Sequence, residues 1–229
     1  MTAPGDEIRH PGRGTKSWVV REPLARWLQA EGAAATGLRV LDVGCGKKPY
    51  LPYFSTAAEY IGLDVVENPF AELIGPVEEL PLEDASVDLV LCIQVLEHVD
   101  DPARAVSELH RVTRPGGRVL ASTHGTQPYH PSPADHWRWT HTGLARLFES
   151  NGDWRSLSVT AGAGTASCMA MLLAHYVHLA FKQLHLTPVA PLINRPLNTL
   201  GAALDRRSTL LRDPVPGSLI ANFHVVAER

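Results

Sequence analysis

The chain has 229 residues, of which 45% are hydrophobic, so it can bury one good core with embellishments but hardly two independent domains. Its net charge of −3 at pH 7 predicts no broad positive field for nucleic acid or anionic lipid and favours a small-molecule partner. The cysteines Cys45, Cys92 and Cys168 are odd in number and form no CxxC pair, which favours a reducing cytoplasm.

The chain begins with a polar segment, which is followed by a predicted helix and the first two predicted strands. Residues 1–16 lack the apolar stretch of a signal peptide and are expected to form a flexible arm, with the domain spanning residues 17–229. The stretch SWVVREPLARWLQAEG has apolar residues at helical spacing. LRVLDVG is typical of a buried strand that opens into a glycine turn, and EYIGLDVV predicts a second strand that ends on an aspartate.

The remaining elements alternate in type. SVDLVLCIQVLEHV and GRVLASTH predict two strands, separated by a helix that Asp100, Asp101 and Pro102 begin and residues 114–117 end. A further helix, TGLARLFESNG, precedes the last two strands, RSLSVTA and SLIANFHVVAER. This order predicts an open α/β sheet with helices on both faces.

About fifty residues, 161–216, separate those last two strands, far more than a hairpin needs. We expect a helical insertion that acts as a lid or as the face of a homodimer. Its first part, SCMAMLLAHYVHLAFKQL, is apolar on most sides but shorter than the ~20 residues that span a bilayer, so no transmembrane segment is predicted. Its second part, LINRPLNTLGAALDRR, is amphipathic and expected to be interrupted at Pro196.

A glycine turn carries the first sign of chemistry. In VLDVGCG, Asp42, Gly44 and Gly46 follow a strand, and glycines there let the backbone approach a ligand. Asp64 ends the next strand 22 residues after Asp42, where an acidic side chain can bind both ribose hydroxyls. A pyrophosphate site is less favoured because residues 47–49 break the GxGxxG pattern, and a tight turn in an unrelated α/β protein is the other alternative. The lysines Lys47 and Lys48 are expected to be solvated.

Two later segments form an ordered set with this turn. VEELPLEDASVDLVLCIQVLEHVDDP, followed by ELHRVTRPGGRVLASTH, resembles the small-molecule branch of the class I S-adenosylmethionine-dependent methyltransferases, and the resemblance runs from about Val40 to Phe148. It implies S-adenosyl-L-methionine as cofactor and a Rossmann-like sheet. The sheet would have seven mostly parallel strands, the last one antiparallel, with the helical insertion between the last two strands.

The resemblance also implies which residues bind the cofactor. Gly44 and Gly46 would lie under its methionine part, Asp42 would fix the turn, and Asp64 would bind the ribose. The other implied contacts flank adenine or the sulfonium: Glu78, Glu79 and Leu80 at adenine, Ile93 and Gln94 at the sulfonium. The chain departs from the family where Lys48 replaces a third glycine and Pro76 an acidic residue, so backbone groups near Val77 and Glu78 are expected to replace the adenine contact.

Simpler interpretations stay open for several of these positions. Leu80 can be part of a packed turn, and Gln94 can cap the end of its strand without touching a ligand. Glu97 and His98 are expected to orient their loop and the following helix rather than take part in the chemistry.

The loop STHGTQPYHPSPADHWRWTHTGL follows the predicted strand GRVLASTH, at the edge where open α/β sheets bind ligands. Because a histidine can accept a proton near neutral pH, the candidate bases are His124, which directly follows the strand, and His136, with Tyr129 as a further candidate. His130, in the same loop, is another candidate base. The alternative is a structural latch with Trp137 and Trp139 packing, Arg138 paired to an acid and Thr140 capping the next helix.

These observations predict transfer of a methyl group to a small-molecule acceptor, first of all to oxygen, in a specialised-metabolite or polysaccharide pathway. The alternatives are a regulatory subunit that binds the cofactor without turnover, a cyclisation or rearrangement catalyst that does not consume it, and a nicotinamide-dependent oxidoreductase. No metal site is expected, because His175, His178 and His185 have no cysteine or acidic residue at matching spacing.

Overall fold

The computed structural model describes residues 5–131 and 134–229. Its core is a seven-stranded sheet in the order β3-β2-β1-β4-β5-β7-β6. The strands are β1 Arg39–Val43, β2 Glu59–Asp64, β3 Leu73–Ile74, β4 Val87–Ile93, β5 Thr113–His124, β6 Ser156–Ala163 and β7 Asn222–Glu228. Strands β1 to β5 pair in parallel, and β7 is antiparallel to both β5 and β6. The predicted Rossmann-like architecture is confirmed.

Helices cover both faces of the sheet, as the alternating elements predicted. They are α1 Asp6–Arg9, α2 Trp18–Gly32, α3 Pro102–Val112, α4 His141–Ser150, α5 Thr165–Gln183, α6 Ala190–Arg207 and α7 Thr209–Arg212. Leu24 and Leu28 of α2 pack on one face, against Leu89 and Leu91 of β4. The other face packs against α3 and α4, as the buried Phe148 shows. Burying apolar side chains on both faces explains the nearly continuous apolar runs of the central strands.

Side chains begin two helices at the predicted positions. Asp101 accepts a hydrogen bond from the backbone N–H of Arg104 and precedes Pro102, so α3 begins as expected. Thr140 accepts from the N–H of Gly143 at the start of α4. Both caps lie next to loops of the sheet edge that carries the candidate site, and they fix where those loops end.

Residues 114–117, expected to end α3, lie just beyond its end. Helix α3 ends at Val112 and β5 begins at once, so these residues lie within the strand. Val87 pairs with Thr113 and Leu89 with Arg118, which leaves the proline and glycines as a bulge.

The insertion is helical, as predicted, but its bounds differ. Residues 161–163 belong to β6, because Ala161 and Ala163 pair with β7, and the helices begin at Thr165. Pro196 does not interrupt α6, which is continuous. The proline lies on the exposed side of this helix, where water can satisfy the carbonyl that its missing N–H leaves free.

Residues 5–16, expected to form a flexible arm, lie against the domain. Asn198 of α6 donates hydrogen bonds to the carbonyls of Arg13 and Thr15, and Asn194 donates to that of Gly14. The arm makes these contacts through its backbone carbonyls. They require no regular spacing of apolar side chains, so the sequence of the arm did not predict them. None of the described helices combines the length and apolar character that crossing a bilayer requires.

A buried carboxylate joins the two long helices of the insertion. Asp205 of α6 is 6% exposed and accepts hydrogen bonds from the backbone N–H groups of Ala166 and Ser167, in the first turn of α5. We expect Asp205→Ala to lower the free energy of unfolding by about 2 kcal/mol, because two buried donors lose their partner. Urea denaturation measures the change. Asp213→Ala removes an exposed carboxylate from the same insertion and should change stability little; equal losses for both variants would contradict this role of Asp205.

Candidate functional site

The glycine turn after β1 requires two glycines for different reasons. Gly44 has φ +68°, and a Cβ there would lie 2.6 Å from Cγ2 of Val95. Gly46 has φ +50° and open space around its Cα. The turn is held because the N–H groups of Gly44 and Cys45 both donate to the carbonyl of Leu63. A bare backbone therefore faces the edge of the sheet, where a ligand can approach it closely.

Asp64 lies at the carboxyl end of β2 beside this turn. Its Oδ2 accepts a hydrogen bond from the N–H of Gly46 at 3.0 Å, and its Oδ1 accepts one from Val66 at 3.2 Å. Each oxygen keeps a further lone pair, so the carboxylate can still accept from two neighbouring hydroxyls.

Two cavities meet at the turn. The first has a volume of about 460 Å³ and extends over Asp42 and Gly46 towards the loop after β5 and helix α5. The second, of about 410 Å³, extends over Asp64 and Val77. Gly44 lines both, together with Gln94 and His98. A ligand with an amino-acid end and a nucleoside end therefore fits with its middle at the turn.

The residues predicted at adenine fall into two groups. Val77 and Glu78 line the second cavity together with Pro76, whereas Glu79 and Leu80 line neither cavity. The Leu80 side chain is buried in the core, and its backbone N–H donates to Glu108, as the packed-turn alternative has it. The Glu78 carboxylate accepts from the N–H groups that precede α3, so it is used within the protein.

The end of β4 supplies the common wall of both cavities. Ile93 is buried and lines the first cavity. Gln94 has φ +58° and donates both its backbone N–H and its side-chain amide to Ser122 of β5. The side chain thus makes a strand-end contact while it lines both cavities.

Asp42 is a buried carboxyl at the floor of the first cavity. The Tyr60 hydroxyl donates to its Oδ2 at 2.7 Å. Burial raises the pKa of Asp42 to about 7, against the lowering effects of this hydrogen bond and of Lys48. A cation bound nearby would favour the ionised form.

The expectation that Lys48 is solvated is wrong. Its φ is +48°, and its side chain is 8% exposed with Nζ 2.6 Å from Glu72. A Cβ on Gly62 would lie 2.5 Å from Cε of the lysine, which shows how closely the chain passes β2. Lys48 thus has the left-handed backbone conformation for which a glycine is favoured, and this is the position where family members often have their third glycine. The Glu72 carboxylate neutralises the charge of the lysine.

A buried acid and histidine lie at the wall of the first cavity. Nε2 of His124 is 3.2 Å from Oε1 of Glu97, and the Thr123 hydroxyl donates to the other carboxylate oxygen at 2.8 Å. Among the described residues, Nδ1 of His124 has no hydrogen-bond partner. Burial raises the pKa of Glu97 to about 7 and lowers that of His124 to about 3. Oε1 of Glu97 also has no hydrogen-bond partner among the described residues, so the two groups lie at ion-pair distance without a hydrogen bond between them, and burial favours the neutral form of each.

The loop after β5 is latched onto this pair. The carbonyl of Glu97 accepts from the N–H groups of His136 and Trp137, and that of His124 accepts from Trp139. The ion pair of Arg138 with Asp135, at 2.5 Å, fixes the loop internally. With the stacked tryptophans and the Thr140 cap, every part of the predicted latch is present.

Three of the candidate bases lie in different surroundings. His124 is 4% exposed and lines the first cavity; Tyr129 lines it too but is 73% exposed. His136 lines neither cavity, and its Nε2 lies 3.6 Å from the exposed Asp100. The site brings His124 and Tyr129 together and leaves His136 outside.

Another histidine cluster lies beside the pair. Among the described residues, His98, His130 and Asp135 could hold a metal ion, since their ligand atoms lie within 4.8 Å of one another. Asp135, however, already accepts from both terminal nitrogens of Arg138. His98 contacts the carbonyl of Ala134 through Nδ1. The cluster is thus part of the latch, and the predicted absence of a metal site stays a prediction.

Sequence reasoning missed part of the site. Ile8, Val20, Met171 and His175 line the first cavity but come from the arm, α2 and α5. They lie far apart in the chain, and no motif marks them. Glu97 was assigned only an orienting role; its position three residues after Gln94 carried no sign that it would meet His124.

Comparison with known proteins gives the same family. Residues 41–121 match the family described as "Methyltransferase domain". A Bordetella bronchiseptica protein named "Ubiquinone biosynthesis O-methyltransferase" is 36% identical over 118 residues, covering 44% of this chain and 49% of that protein. A probable S-adenosylmethionine-dependent methyltransferase of Mycolicibacterium smegmatis is 43% identical over 98 residues, or 38% of each chain. The chain thus spans about half the length, or less, of these two curated relatives.

The structural comparison extends to most of the chain. The structure of a SAM-dependent methyltransferase from Archaeoglobus fulgidus superposes with a TM-score of 0.58 and 17% identity. It covers 93% of this chain and 97% of its own, which shows a shared fold. S-adenosylmethionine is the cofactor of the family, and two joined cavities at a glycine turn suit its two ends. The match over residues 41–121, together with the shared fold, supports a class I S-adenosylmethionine-dependent methyltransferase.

Proposed function

We propose that this protein transfers a methyl group to an oxygen atom of a small-molecule acceptor. The observation that carries the proposal is the buried pair of Glu97 and His124 in the wall of the first cavity, which shares the glycine turn with the second. The Bordetella relative is named as an O-methyltransferase, which supports oxygen as the reacting atom. A specialised-metabolite or polysaccharide acceptor is part of the proposal.

In this proposal the second cavity holds the nucleoside end of the cofactor. Asp64 accepts hydrogen bonds from the ribose hydroxyls, and Val77 covers one face of the adenine. Because Glu78 caps the approach to α3, recognition of adenine falls to backbone groups rather than to its carboxylate.

The first cavity holds the amino-acid end beside the turn. Asp42, whose raised pKa leaves it ready to ionise, favours a nearby ammonium group. When bound, S-adenosylmethionine supplies an electrophilic methyl group on a sulfonium. The protein's part is to hold the acceptor oxygen in line with that group, exclude water and remove a proton.

His124 is the proposed base. In this proposal a small rotation of the ring lets Nε2–H of His124 donate to the ionised Glu97 carboxylate, which lies 3.2 Å away, and Nδ1 then keeps a lone pair that can accept the acceptor's proton. When Glu97 is protonated, its proton faces Nε2, the hydrogen moves to Nδ1, and the base is lost. The ring is 4% exposed and lies 4.9 Å from that of His130, and both rings line the first cavity.

The remaining wall of the first cavity is proposed to select the acceptor. Val20 and Leu24 come from α2, Met171 and His175 from α5, and Tyr129 from the loop. Such a wall, mostly apolar with a few polar groups, suits an aromatic or aliphatic alcohol. A homodimer formed through the insertion remains a proposal.

The first test is calorimetric titration of the protein with S-adenosylmethionine, S-adenosylhomocysteine and NAD. We expect the first two to bind and NAD not to bind, because the turn lacks a pyrophosphate-binding pattern. A preference for NAD would overturn the family-based proposal.

Turnover is then measured as S-adenosylhomocysteine formed with a panel of phenols, catechols and aliphatic alcohols. Cofactor binding with methylated product supports the proposal. Binding without any turnover supports a regulatory subunit, and product formed without S-adenosylhomocysteine supports a cyclase or rearrangement catalyst.

A further inference from the structure

Helices α5 and α6 form a hairpin whose tip, residues 184–193, is apolar and exposed. Gly201 of α6 lies against residues 166–170 of α5, so the two helices run in opposite directions. Five large aliphatic side chains of the tip are between 39% and 71% exposed: Leu184, Leu186, Val189, Leu192 and Ile193. An exposed apolar cluster of this kind marks a surface that meets another apolar phase or molecule.

The apolar surface continues along α5. Met169, Leu173 and Tyr176 are 59%, 51% and 66% exposed and follow at spacings of four and three, which places them on one helix face. Buried residues such as Met171 and Ala174 occupy the opposite face, against the domain. The outward face of α5 therefore carries several exposed apolar side chains in a regular helical pattern.

Charge is distributed unevenly over the chain. Residues 154–204 contain no aspartate or glutamate, although the chain has 24. Residues 164–221 carry five cations and two acids, a net charge of +3, so the rest of the chain carries −6. The whole-chain charge of −3 thus conceals a basic insertion.

Two cations flank the tip. Lys182 and Arg195 are exposed, and within the part of the chain that the structure describes neither forms an ion pair. Aliphatic side chains between basic residues are the composition that binds the interface of an anionic bilayer.

We propose that the tip of the α5–α6 hairpin docks on an anionic lipid surface. The five aliphatic side chains would enter the interfacial layer, and Lys182 and Arg195 would meet the lipid phosphates. A second copy of the chain fits less well, because a two-fold contact between tips would bring their cations together. This inference rests on the hairpin alone and not on the proposed reaction. Helix α5 also carries His175, which lines the first cavity. Docking would therefore hold His175 about 14 Å along the helix from residue 184, where the tip begins.

Sedimentation with vesicles tests the proposal. We expect the full chain to bind vesicles of phosphatidylcholine with phosphatidylglycerol more strongly than phosphatidylcholine alone, and less strongly at high salt. The triple variant Leu184→Ser, Leu186→Ser, Leu192→Ser should bind about 100-fold more weakly, because three apolar side chains no longer leave water. Lys182→Gln with Arg195→Gln should lose about tenfold, on the anionic vesicles only.

Leu210→Ser is the matched control. Leu210 is 67% exposed but lies on α7, separated from the tip by the full length of α6, about 27 Å. Its loss should leave vesicle binding unchanged, and circular dichroism should show all variants folded. Absence of binding to anionic vesicles, or an equal loss in the control, would overturn the proposal. A dimeric wild type and a monomeric tip variant in light scattering, with no vesicle binding by either protein in sedimentation, would also overturn the proposal.

Discussion

Replacing His124 with alanine is expected to lower methyl-transfer turnover by about 10²- to 10³-fold, with little change in the dissociation constant of S-adenosylmethionine. The ring lies in the acceptor part of the first cavity, and removing it removes the proposed proton acceptor but none of the groups proposed to hold the cofactor. Turnover is measured as S-adenosylhomocysteine formed with a phenol of the acceptor panel, and cofactor binding by calorimetry.

The pH profile gives a second readout of the same pair. Since the pKa of Glu97 is raised to about 7 and its ionised form keeps the hydrogen on Nε2 of His124, turnover should rise with pH and level off above about pH 7. Glu97→Gln should remove this inflection and lower turnover about 10- to 100-fold, because an amide cannot stabilise the imidazolium.

His136→Ala is the matched control, since this histidine belongs to the same loop but lies outside both cavities. It should keep turnover within about twofold of the wild type, in the ordinary range of peripheral substitutions. If His124→Ala retained full turnover, proximity alone or Tyr129 would have to account for the reaction.

Asp64→Ala is expected to weaken S-adenosylmethionine binding by at least about 100-fold. A carboxylate that accepts two hydroxyl hydrogen bonds loses both, and hydrogen bonds to charged groups contribute about 1.5–3 kcal/mol each. The variant also releases the N–H of Gly46, which loosens the turn. Calorimetry with S-adenosylmethionine and S-adenosylhomocysteine measures the effect.

Two variants separate the ribose contact from the turn. Asp64→Asn keeps an oxygen for the Gly46 N–H and should weaken binding less, by about tenfold. Glu67→Ala removes an exposed carboxylate a few residues further on and should leave the dissociation constant unchanged. Unchanged affinity in Asp64→Ala would show that the ribose is bound elsewhere.

The part of the candidate site around the glycine turn, which we propose binds the cofactor, was predictable because it is local in sequence. Asp42, Gly44 and Gly46 follow one strand and Asp64 ends the next, and parallel strands bring their carboxyl ends to one edge. The predicted caps at Asp101 and Thr140 are confirmed for the same reason: a cap depends on residues within one turn.

The acceptor half was less predictable because it depends on tertiary contacts. Met171 and His175 reach the cavity only because α5 packs beside α2, and nothing at their own positions shows this. The burial of Lys48 depends on a partner 24 residues away, Glu72. Neither the net charge of the chain nor the residue type at position 48 reveals that Lys48 pairs with Glu72.

The pairing of β6 with β7 has a consequence for how this protein can change. Ala163 and Asn222, at the two ends of the insertion, are neighbours across these strands, so the sheet holds both ends of the segment between them. Lengthening such a connection costs little, about 0.6 kcal/mol for each doubling. Evolution or an engineer can therefore exchange the helices between these two residues, and with them the acceptor wall, while the cofactor half stays intact. The sheet thus stays fixed while the helical insertion between Ala163 and Asn222 can be replaced.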